Sequence, residues 1–395
     1  MTRTFTICFS ALAITTIAGA QPCAPTLLAS IDVPGMAQAH DVFIDGHVAY
    51  VGAWELGLAT FSISDPANPA FLSLTETNDA AFGVIVDDSV AYVADRLGRL
   101  VIMDVSDPAA PTTISTVSIS GVAHSLAKSG DTLFVVAEPF AGVVPGGVTI
   151  IDVADPAAPA IRSYIPSAGG VPSGLDLVDD LLYLTDGFKG LLIYDVFEPG
   201  TPLLLSQINP YAGQSAARDV KVVGDYAFCA WHTAGFQVFN VADPAAPIHV
   251  ASIDTPGDAW SIHVTAHIAT MTDRVYIDDL STLMLIDVAD PTTPKSIGDV
   301  TIPDAATSHT INGALAYLTT ANADPTGGRL DAIDLAPCLP CPADIDADAD
   351  LTILDFVHLQ LAFKAADPIA DCNEDAAFTI ADFVCYQQLF LAGCP

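Results

Sequence analysis

The chain contains few basic residues. Its 395 residues include 47 Asp and Glu but only 12 Lys and Arg, which gives a formal net charge of −35 at pH 7. Such a charge repels polyanions, so we expect no nucleic-acid partner and no anionic membrane surface. The chain also lacks an apolar run of transmembrane length, and we expect no transmembrane segment. Because 51% of the residues are hydrophobic and only 15% are charged, the composition predicts a folded protein with a large core.

The first 20 residues have the pattern of a secretory signal peptide. Arg3 precedes an apolar stretch from Ile7 to Ile17, and Ala18-Gly19-Ala20 supplies the small residues of a cleavage site. We predict that residues 1–20 are removed and that the protein is secreted, extracellular or associated with the cell surface. The alternative is a buried N-terminal helix. Export would place the cysteines where disulfides persist.

The middle of the chain repeats one unit. A turn of the form Asp/Glu-Pro-x-x-Pro recurs six times, from Asp65 to Asp290, at intervals of 42 to 48 residues, and a β-rich run precedes each turn. A seventh copy ends at Pro337. Each unit offers about four short strands, which is the period and strand number of a β-propeller blade. We therefore predict an all-β, seven-bladed propeller over residues 21–338.

The seventh unit has no fourth strand of its own after Pro337. The mature N-terminus offers an unassigned strand, Pro25 to Ile31, and we predict that it completes the seventh blade and closes the ring. Cys23 and Cys338 flank these two chain ends, so we predict a disulfide between them. In the chain-entropy model such a long loop stabilises by about 4 to 5 kcal/mol. Cys229 is expected to be a buried thiol.

The pattern that precedes the turns, as in Leu100 to Pro108 and Thr149 to Pro156, resembles the LVIVD-repeat family of bacterial surface propellers. The resemblance covers about residues 25–337. It implies a propeller fold and an extracellular setting, and it implies no activity.

Aligning the repeats at the start of their innermost strands places five side chains at one mouth of the central channel. They are His40, His124, Arg218, Trp260 and His309. This ring predicts a possible site for a small molecule, a glycan or a metal ion, with Trp260 as an apolar platform and the imidazoles as ligands. The alternative is that the histidines only hydrogen-bond between strands. We favour that alternative over a ligand site, and more strongly over a metal site, because only His309 and His40 belong to adjacent blades.

The sequence has no G-x-S-x-G, H-E-x-x-H or P-loop motif. We therefore expect a non-enzymatic binding or scaffold propeller whose ligand is an unknown protein or glycan. The alternative is a carbohydrate-active enzyme, a polysaccharide hydrolase or lyase on the same fold. Loop tips after the second strands, such as Trp54, Arg96 and His232, are interpreted as solvated loops that could line the same face.

The composition changes after Cys338, where two twelve-residue segments begin at Asp344 and Asp371. Their oxygen-bearing residues stand at the ligand positions of EF-hand loops, and we predict two calcium ions. The predicted ligands are Asp344, Asp346, Asp348, Asp350, Asp355, Asp371, Asn373, Asp375, Ala377 through its carbonyl oxygen, and Asp382. Ala349 and Ala376 replace the usual glycine at position 6, so we expect weak sites. The alternative is a disulfide-held helical hairpin that binds no metal.

Each predicted loop is followed by a helical signature that ends at Phe363 or Phe390. Residues 339–395 resemble a dockerin of the variety that ends in Gly-Cys. The resemblance implies a small α-helical, calcium-loop domain that attaches the propeller to a cohesin-like or cell-envelope receptor. We expect the protein to be a monomer. The four cysteines of this region permit three pairings, of which we favour Cys341–Cys394 with Cys372–Cys385.

Overall fold

The computed structural model describes residues 23–32, 38–77, 79–140, 144–211, 214–275, 280–321 and 328–338. The predicted signal peptide and the predicted calcium-loop domain, with all its ligands and the cysteines Cys341, Cys372, Cys385 and Cys394, lie outside the described residues. Within these ranges the structure is all-β, apart from one 3-10 turn at Ala336–Cys338. No helix in these ranges is long and apolar enough to cross a membrane.

The described strands form seven antiparallel sheets of four strands each. The first three sheets are β2 to β5 (Val42–Asp45, Val48–Gly52, Leu58–Ser62, Ala70–Thr75), β6 to β9 (Ala81–Asp87, Val90–Asp95, Arg99–Asp104, Thr112–Ser118) and β10 to β13 (Val122–Ser129, Thr132–Glu138, Gly147–Asp152, Ala160–Pro166). The next two are β14 to β17 (Pro172–Val178, Leu181–Asp186, Gly190–Asp195, Leu203–Ile208) and β18 to β21 (Asp219–Val223, Tyr226–Trp231, Gly235–Asn240, Ile248–Ile253). The sixth is β22 to β25 (Asp258–Thr265, Ile268–Val275, Leu280–Asp287, Lys295–Ile302), and the seventh joins β26 to β28 (Ala305–Asn312, Leu315–Ala321, Arg329–Asp334) to β1 (Thr26–Asp32).

The innermost strands close a ring. Each contacts the innermost strand of the following sheet, and β26 contacts β2. The second and third strands are apolar at consecutive positions because neighbouring sheets cover both of their faces. Phe61, Phe134 and Trp231 are fully or almost fully buried between sheets. The predicted seven-bladed propeller is confirmed.

The chain ends interlock in the seventh blade, as predicted. The N-terminal strand β1 pairs with β28, with Leu27 opposite Ile333 and Ile31 opposite Leu330. Cys229 is a buried free thiol, which confirms that prediction.

Cys23 lies beside the chain end that contains Cys338. Both are unbonded thiols in the structure. Burial raises the pKa of Cys338, and its side-chain contact with Cys23 adds to the rise. The Cys23 sulfur lies against Gly298 of β25, where an added Cβ would stand 2.3 Å from it, so this position needs glycine. The arrangement brings the two sulfurs together, and their oxidation to a disulfide stays a prediction.

The proline turns fasten neighbouring sheets to each other. The carboxylate of Asp107 accepts a hydrogen bond from the Ala109 amide at 3.0 Å, and the same bond recurs in four other turns. The carbonyl of the first proline then accepts a bond from a serine on the outer strand of the preceding sheet. Ser73 donates to Pro108 at 2.9 Å, and Ser115 donates to Pro156 at 2.6 Å. These bonds explain why the turn recurs once per blade.

Candidate functional site

A cavity of about 590 Å³ opens at one mouth of the channel, and the innermost strands of all seven sheets line it. The five side chains predicted for this mouth, His40, His124, Arg218, Trp260 and His309, all lie on its wall. A volume of this size suits a small ligand.

β-Bulges aim several side chains at the mouth. The register of β10, β22 and β26 shifts by one residue where each strand begins, which leaves His124, Trp260 and Thr307 without a partner on the second strand. A bulge of this kind redirects a side chain away from the sheet. All three extra residues line the cavity, although the Thr307 hydroxyl also donates to the Ala39 carbonyl of the first blade at 2.6 Å.

The structure corrects the alignment of the seventh blade by two residues. In β22, Ser261 pairs with Thr272 after the bulge, and in β26 the corresponding pair is Ser308 with Thr319. Thr307 therefore occupies the position of Trp260, whereas His309 lies two residues further along the strand, at the position of Ile262. The alignment misses this shift because sequence similarity does not show where the extra residue of the bulge lies.

His309 is buried in the channel wall and bridges two sheets. Its Nδ1 lies 2.6 Å from the Ser261 hydroxyl and its Nε2 lies 2.8 Å from the Thr270 hydroxyl. Burial lowers the pKa of His309 to about 3, so the ring is neutral. For this residue the interpretation as an inter-strand hydrogen-bonding histidine is correct, because both ring nitrogens are engaged.

Two guanidinium groups lie over the Trp260 ring. The guanidinium carbon of Arg274 is 3.8 Å from the ring centroid and that of Arg218 is 4.6 Å away. Trp260 therefore orients arginines at the mouth instead of offering the open apolar platform that the sequence predicted. The Nε of Arg274 donates to the Ala306 carbonyl at 2.5 Å. The Nε of Arg218 is shielded from solvent and finds no acceptor among the described residues.

Aromatic rings cluster on the opposite side of the mouth. His40 stacks on Trp54 at a centroid distance of 4.7 Å, and Phe82 lies 4.4 Å from the His40 ring. Arg96 lies over Trp54 at 5.2 Å. Burial lowers the pKa of His40 to about 3, and the positive charge of Arg274 contributes to the shift. The loop tip at Trp54 is thus packed against the mouth.

Two loop tips carry backbone strain. Trp54 has φ of 37° and His232 has φ of 31°, a region that residues with a Cβ rarely adopt. Both occupy the same place in their blades, because the carbonyl of each accepts from an amide at the start of the next inner strand, that of Ala81 or Ala259. His232 also lies 3.0 Å from Asp258. Strained residues of this kind are frequent at binding sites.

His124 completes the polar rim. Its Nε2 lies 3.2 Å from the Pro172 carbonyl and 4.0 Å from the Glu138 carboxylate. Burial lowers the pKa of His124 even though Glu138 opposes the shift, and Arg218 acts in the same direction as burial. Arg218 is therefore near enough to His124 for their charges to interact across the mouth.

Carboxylates deeper in the channel join neighbouring sheets. Asp41 accepts from the Val84 amide at 3.1 Å and from the Ser308 hydroxyl at 2.8 Å. Asp219 accepts from the Val220 and Ile262 amides, both at 2.9 Å. Burial raises the pKa of Asp219 to about 6 and also raises that of Asp41. These groups are structural links between blades.

Sequence reasoning missed four charged or titratable groups at this site, Arg274, Glu138, His263 and Lys221. Arg274 and Glu138 end second strands, and His263 lies inside the innermost strand β22. Burial lowers the pKa of His263 to about 4. The signal that could have found the first two is their position directly before the loops on the same face as Trp54. Within the described ranges, no group of three or more His, Cys, Asp or Glu is arranged to hold a metal ion.

The family described as LVIVD repeat matches residues 35–77, 80–118, 120–164 and 214–255. These segments correspond to the first, second, third and fifth sheets. The chain contains LVIVD repeats. None of the curated proteins compared with the sequence matches it.

Solved structures similar to the LVIVD-repeat ring include designed and natural proteins. A chain of the Mitotic Checkpoint Complex is 15% identical with a TM-score of 0.62, over 84% of this chain and 98% of that one. The RRP9 WD40 repeats are 9% identical with a TM-score of 0.62, over 79% and 98%. The computationally designed Ika8 protein is 9% identical with a TM-score of 0.53, over 76% and 98%. At such identities the likeness shows the fold alone.

Proposed function

We propose that this LVIVD-repeat propeller is a binding module that holds a small ligand at the channel mouth and does not transform it. The observation that carries the proposal is the cavity itself, whose wall presents polar, charged and aromatic side chains from several blades. Arg218 has an unsatisfied Nε, and Trp54 and His232 hold strained backbone conformations. Features of this kind lower stability, and binding is a reason to retain them.

The carboxylates of the channel support binding rather than catalysis. Glycoside hydrolysis requires a pair of carboxyl groups that reach the substrate on both sides of the scissile bond. Asp41 and Asp219 instead have both oxygens engaged by amide or hydroxyl donors of their own and neighbouring strands. A carboxylate held in this way is poorly placed to exchange protons with a substrate.

For the chain outside the described residues, we propose export and attachment through the C-terminal calcium loops. The support is the spacing of oxygen-bearing residues after Asp344 and Asp371, which matches EF-hand ligand positions. The tail would hold the propeller at a surface or assembly, where binding a ligand at the channel mouth would be its function.

The binding proposal is tested with a panel of small metabolites, oligosaccharides and polysaccharides. Intrinsic tryptophan fluorescence reports binding, and product analysis of the same mixtures reports turnover. We expect saturable binding that is weakened by Arg218→Gln and unaffected by Arg162→Gln, a control on the outer strand β13. Turnover of a polysaccharide that the mouth variant abolishes would instead establish the enzyme.

The attachment proposal is tested by calcium titration of the full chain. We expect calcium to raise the melting temperature or helicity of the tail, because ion binding offsets repulsion among the clustered carboxylates. The double variant Asp344→Ala with Asp371→Ala should remove the effect, whereas Asp299→Asn on the exposed face of β25 should keep it. An isothermal titration without calcium uptake at millimolar concentrations would reject the proposal.

A further inference from the structure

We propose that the ligand of the channel mouth carries a single carboxylate group, and that the N–H edge of the Arg218 guanidinium binds it. The inference rests on the proposed binding function and specifies the chemistry of its ligand. It replaces the imidazole-centred site that the sequence predicted with one centred on a guanidinium group.

The orientation of Arg218 leaves its donors available. A guanidinium that stacks on an aromatic ring uses its flat face, so its N–H groups remain free in the plane for a carboxylate. Arg218 stacks on Trp260 at 4.6 Å, and no described residue accepts from its Nε. A buried donor without an acceptor is costly, and a bound carboxylate would remove that cost. The site is therefore built for an acceptor that the described chain does not supply.

The charges around the mouth favour an anion despite the acidity of the protein. Arg218 and Arg274 share the Trp260 ring, and Arg96 lies over Trp54 on the opposite side. Arg274 lowers the pKa of His40 and Arg218 lowers that of His124, so both guanidinium charges act across the opening. Of the 12 basic residues of the chain, Arg218 and Lys221 line the cavity, and Arg274 lies beside it on the Trp260 ring.

The same surroundings favour one negative charge over two. Glu138 lies 4.0 Å from His124, and Asp258 lies 3.0 Å from His232, so the rim also carries carboxylates that repel a dianion. The net charge of −35 repels long polyanions as well. The Nε of Arg274 already donates to the Ala306 carbonyl, whereas the Nε of Arg218 has no acceptor among the described residues. Phe82 lines the cavity and offers an apolar surface to the remainder of the ligand.

The test uses matched pairs of small probes on the full chain at constant ionic strength. The carboxylates are D-glucuronate and benzoate, their uncharged counterparts are D-glucose and benzyl alcohol, and inorganic phosphate is the dianion. Tryptophan fluorescence and isothermal titration report binding up to about 20 mM probe. We expect at least one carboxylate to bind saturably, about ten-fold or more tightly than its uncharged counterpart and than phosphate.

Variants then assign the binding to Arg218. Arg218→Gln should weaken carboxylate binding by about 10- to 100-fold, because it removes a charge-assisted bidentate contact. Arg218→Lys keeps the charge without the fork and should recover only part of the affinity. Arg162→Gln should leave carboxylate binding unchanged, because Arg162 lies on the outer strand β13, where it pairs with Asp152 of β12. Thermal melts show whether each variant folds. If a variant does not fold, the comparison of probes on the unaltered chain still tests the proposal.

Three results would overturn the proposal. They are equal binding of a carboxylate and its uncharged counterpart, phosphate binding tighter than both carboxylates, and no carboxylate binding in the range tested. Unchanged carboxylate binding in a folded Arg218→Gln would do the same. If an uncharged glycan binds at the mouth while carboxylates do not, the carboxylate inference fails and the binding function stands.

Discussion

Polar groups in the seams, where neighbouring blades contact each other, differ in their hydrogen bonding from polar groups at the mouth of the channel. Along the seams, Asp219 has both oxygens occupied and His309 has both ring nitrogens occupied. At the mouth, the Arg218 Nε has no described acceptor, and Trp54 is held at φ of 37°. The first arrangement lowers the free energy of the fold, whereas the second raises it.

This difference separates structural from functional side chains within one ring. Sequence alignment groups His40, His124 and His309 as equivalent, although only the first two lie at the mouth position of their blades. Substitutions in the seams should lower stability and leave ligand binding intact. Substitutions at the mouth should weaken ligand binding and change stability little. The predictions below test that separation, beginning with the largest expected change in stability.

The seam that closes the ring should depend on the redox state of its cysteines. If Cys23 and Cys338 form a disulfide in the exported protein, Cys338→Ser should lower the free energy of unfolding by about 4 kcal/mol, because the closed loop spans almost the entire propeller. Denaturant unfolding with and without reductant measures the effect. Cys229→Ala is the control, since its thiol is buried and unpaired. Equal stability of the parent and the Cys338→Ser variant in the absence of reductant would show that Cys23 and Cys338 form no disulfide.

The Asp219 link should contribute less than the disulfide but still strongly. Asp219→Ala leaves the Ile262 amide of the next blade without its acceptor, and we expect a loss of about 3 kcal/mol. Thermal and denaturant unfolding at pH 7 measure it. Asp299→Asn, on an exposed outer strand, should change stability by less than about 0.5 kcal/mol.

The pH dependence of the same link has a definite sign. Burial raises the pKa of Asp219 from the ordinary value of 3.8 to about 6, so the folded state holds the proton more tightly than the unfolded chain. The part of the stability that protonation of Asp219 supplies is complete below pH 3.8 and is lost as the pH rises through 6, whereas the hydrogen bonds to the Val220 and Ile262 amides remain. Relative to Asp219→Asn, the parent should therefore lose on the order of 2 kcal/mol across that range. A constant difference across it would contradict the raised pKa.

His309 should show the opposite pH dependence. Its folded pKa of about 3 lies below the ordinary value of 6.5, so its contribution is present above pH 6.5 and is lost as the pH falls toward 3. His309→Gln should cost about 2 kcal/mol at pH 7, because Gln cannot bridge both Ser261 and Thr270. The cost should shrink on acidification, while ligand binding at the mouth stays unchanged. A large loss of binding in a folded variant would move His309 into the site.

The sequence was sufficient for the parts of the molecule that repeat. The turn spacing predicts seven blades, and the unpaired strand at the N-terminus predicts the closure between Leu27 and Ile333. It was insufficient where one residue is inserted, because a bulge changes no residue type. The shift at Thr307 is such a case, and it moved His309 from the mouth to the wall. Nor does the sequence show that Arg274 from a second strand reaches Trp260 on an inner one.

The smallest change in stability is expected at the mouth. Trp54→Gly removes the strain of a positive φ, which costs about 1 kcal/mol, and it also removes the stack on His40, which contributes a similar amount. The two effects nearly cancel, so the melting temperature should change little, whereas mouth ligands should bind several-fold more weakly. Trp231→Phe, a buried tryptophan in the neighbouring position of another blade, is the control that should lower stability without affecting binding. If Trp54→Gly destabilised the protein by several kcal/mol, the Trp54 side chain would be a structural element. The mouth would then contribute to stability as the seams do.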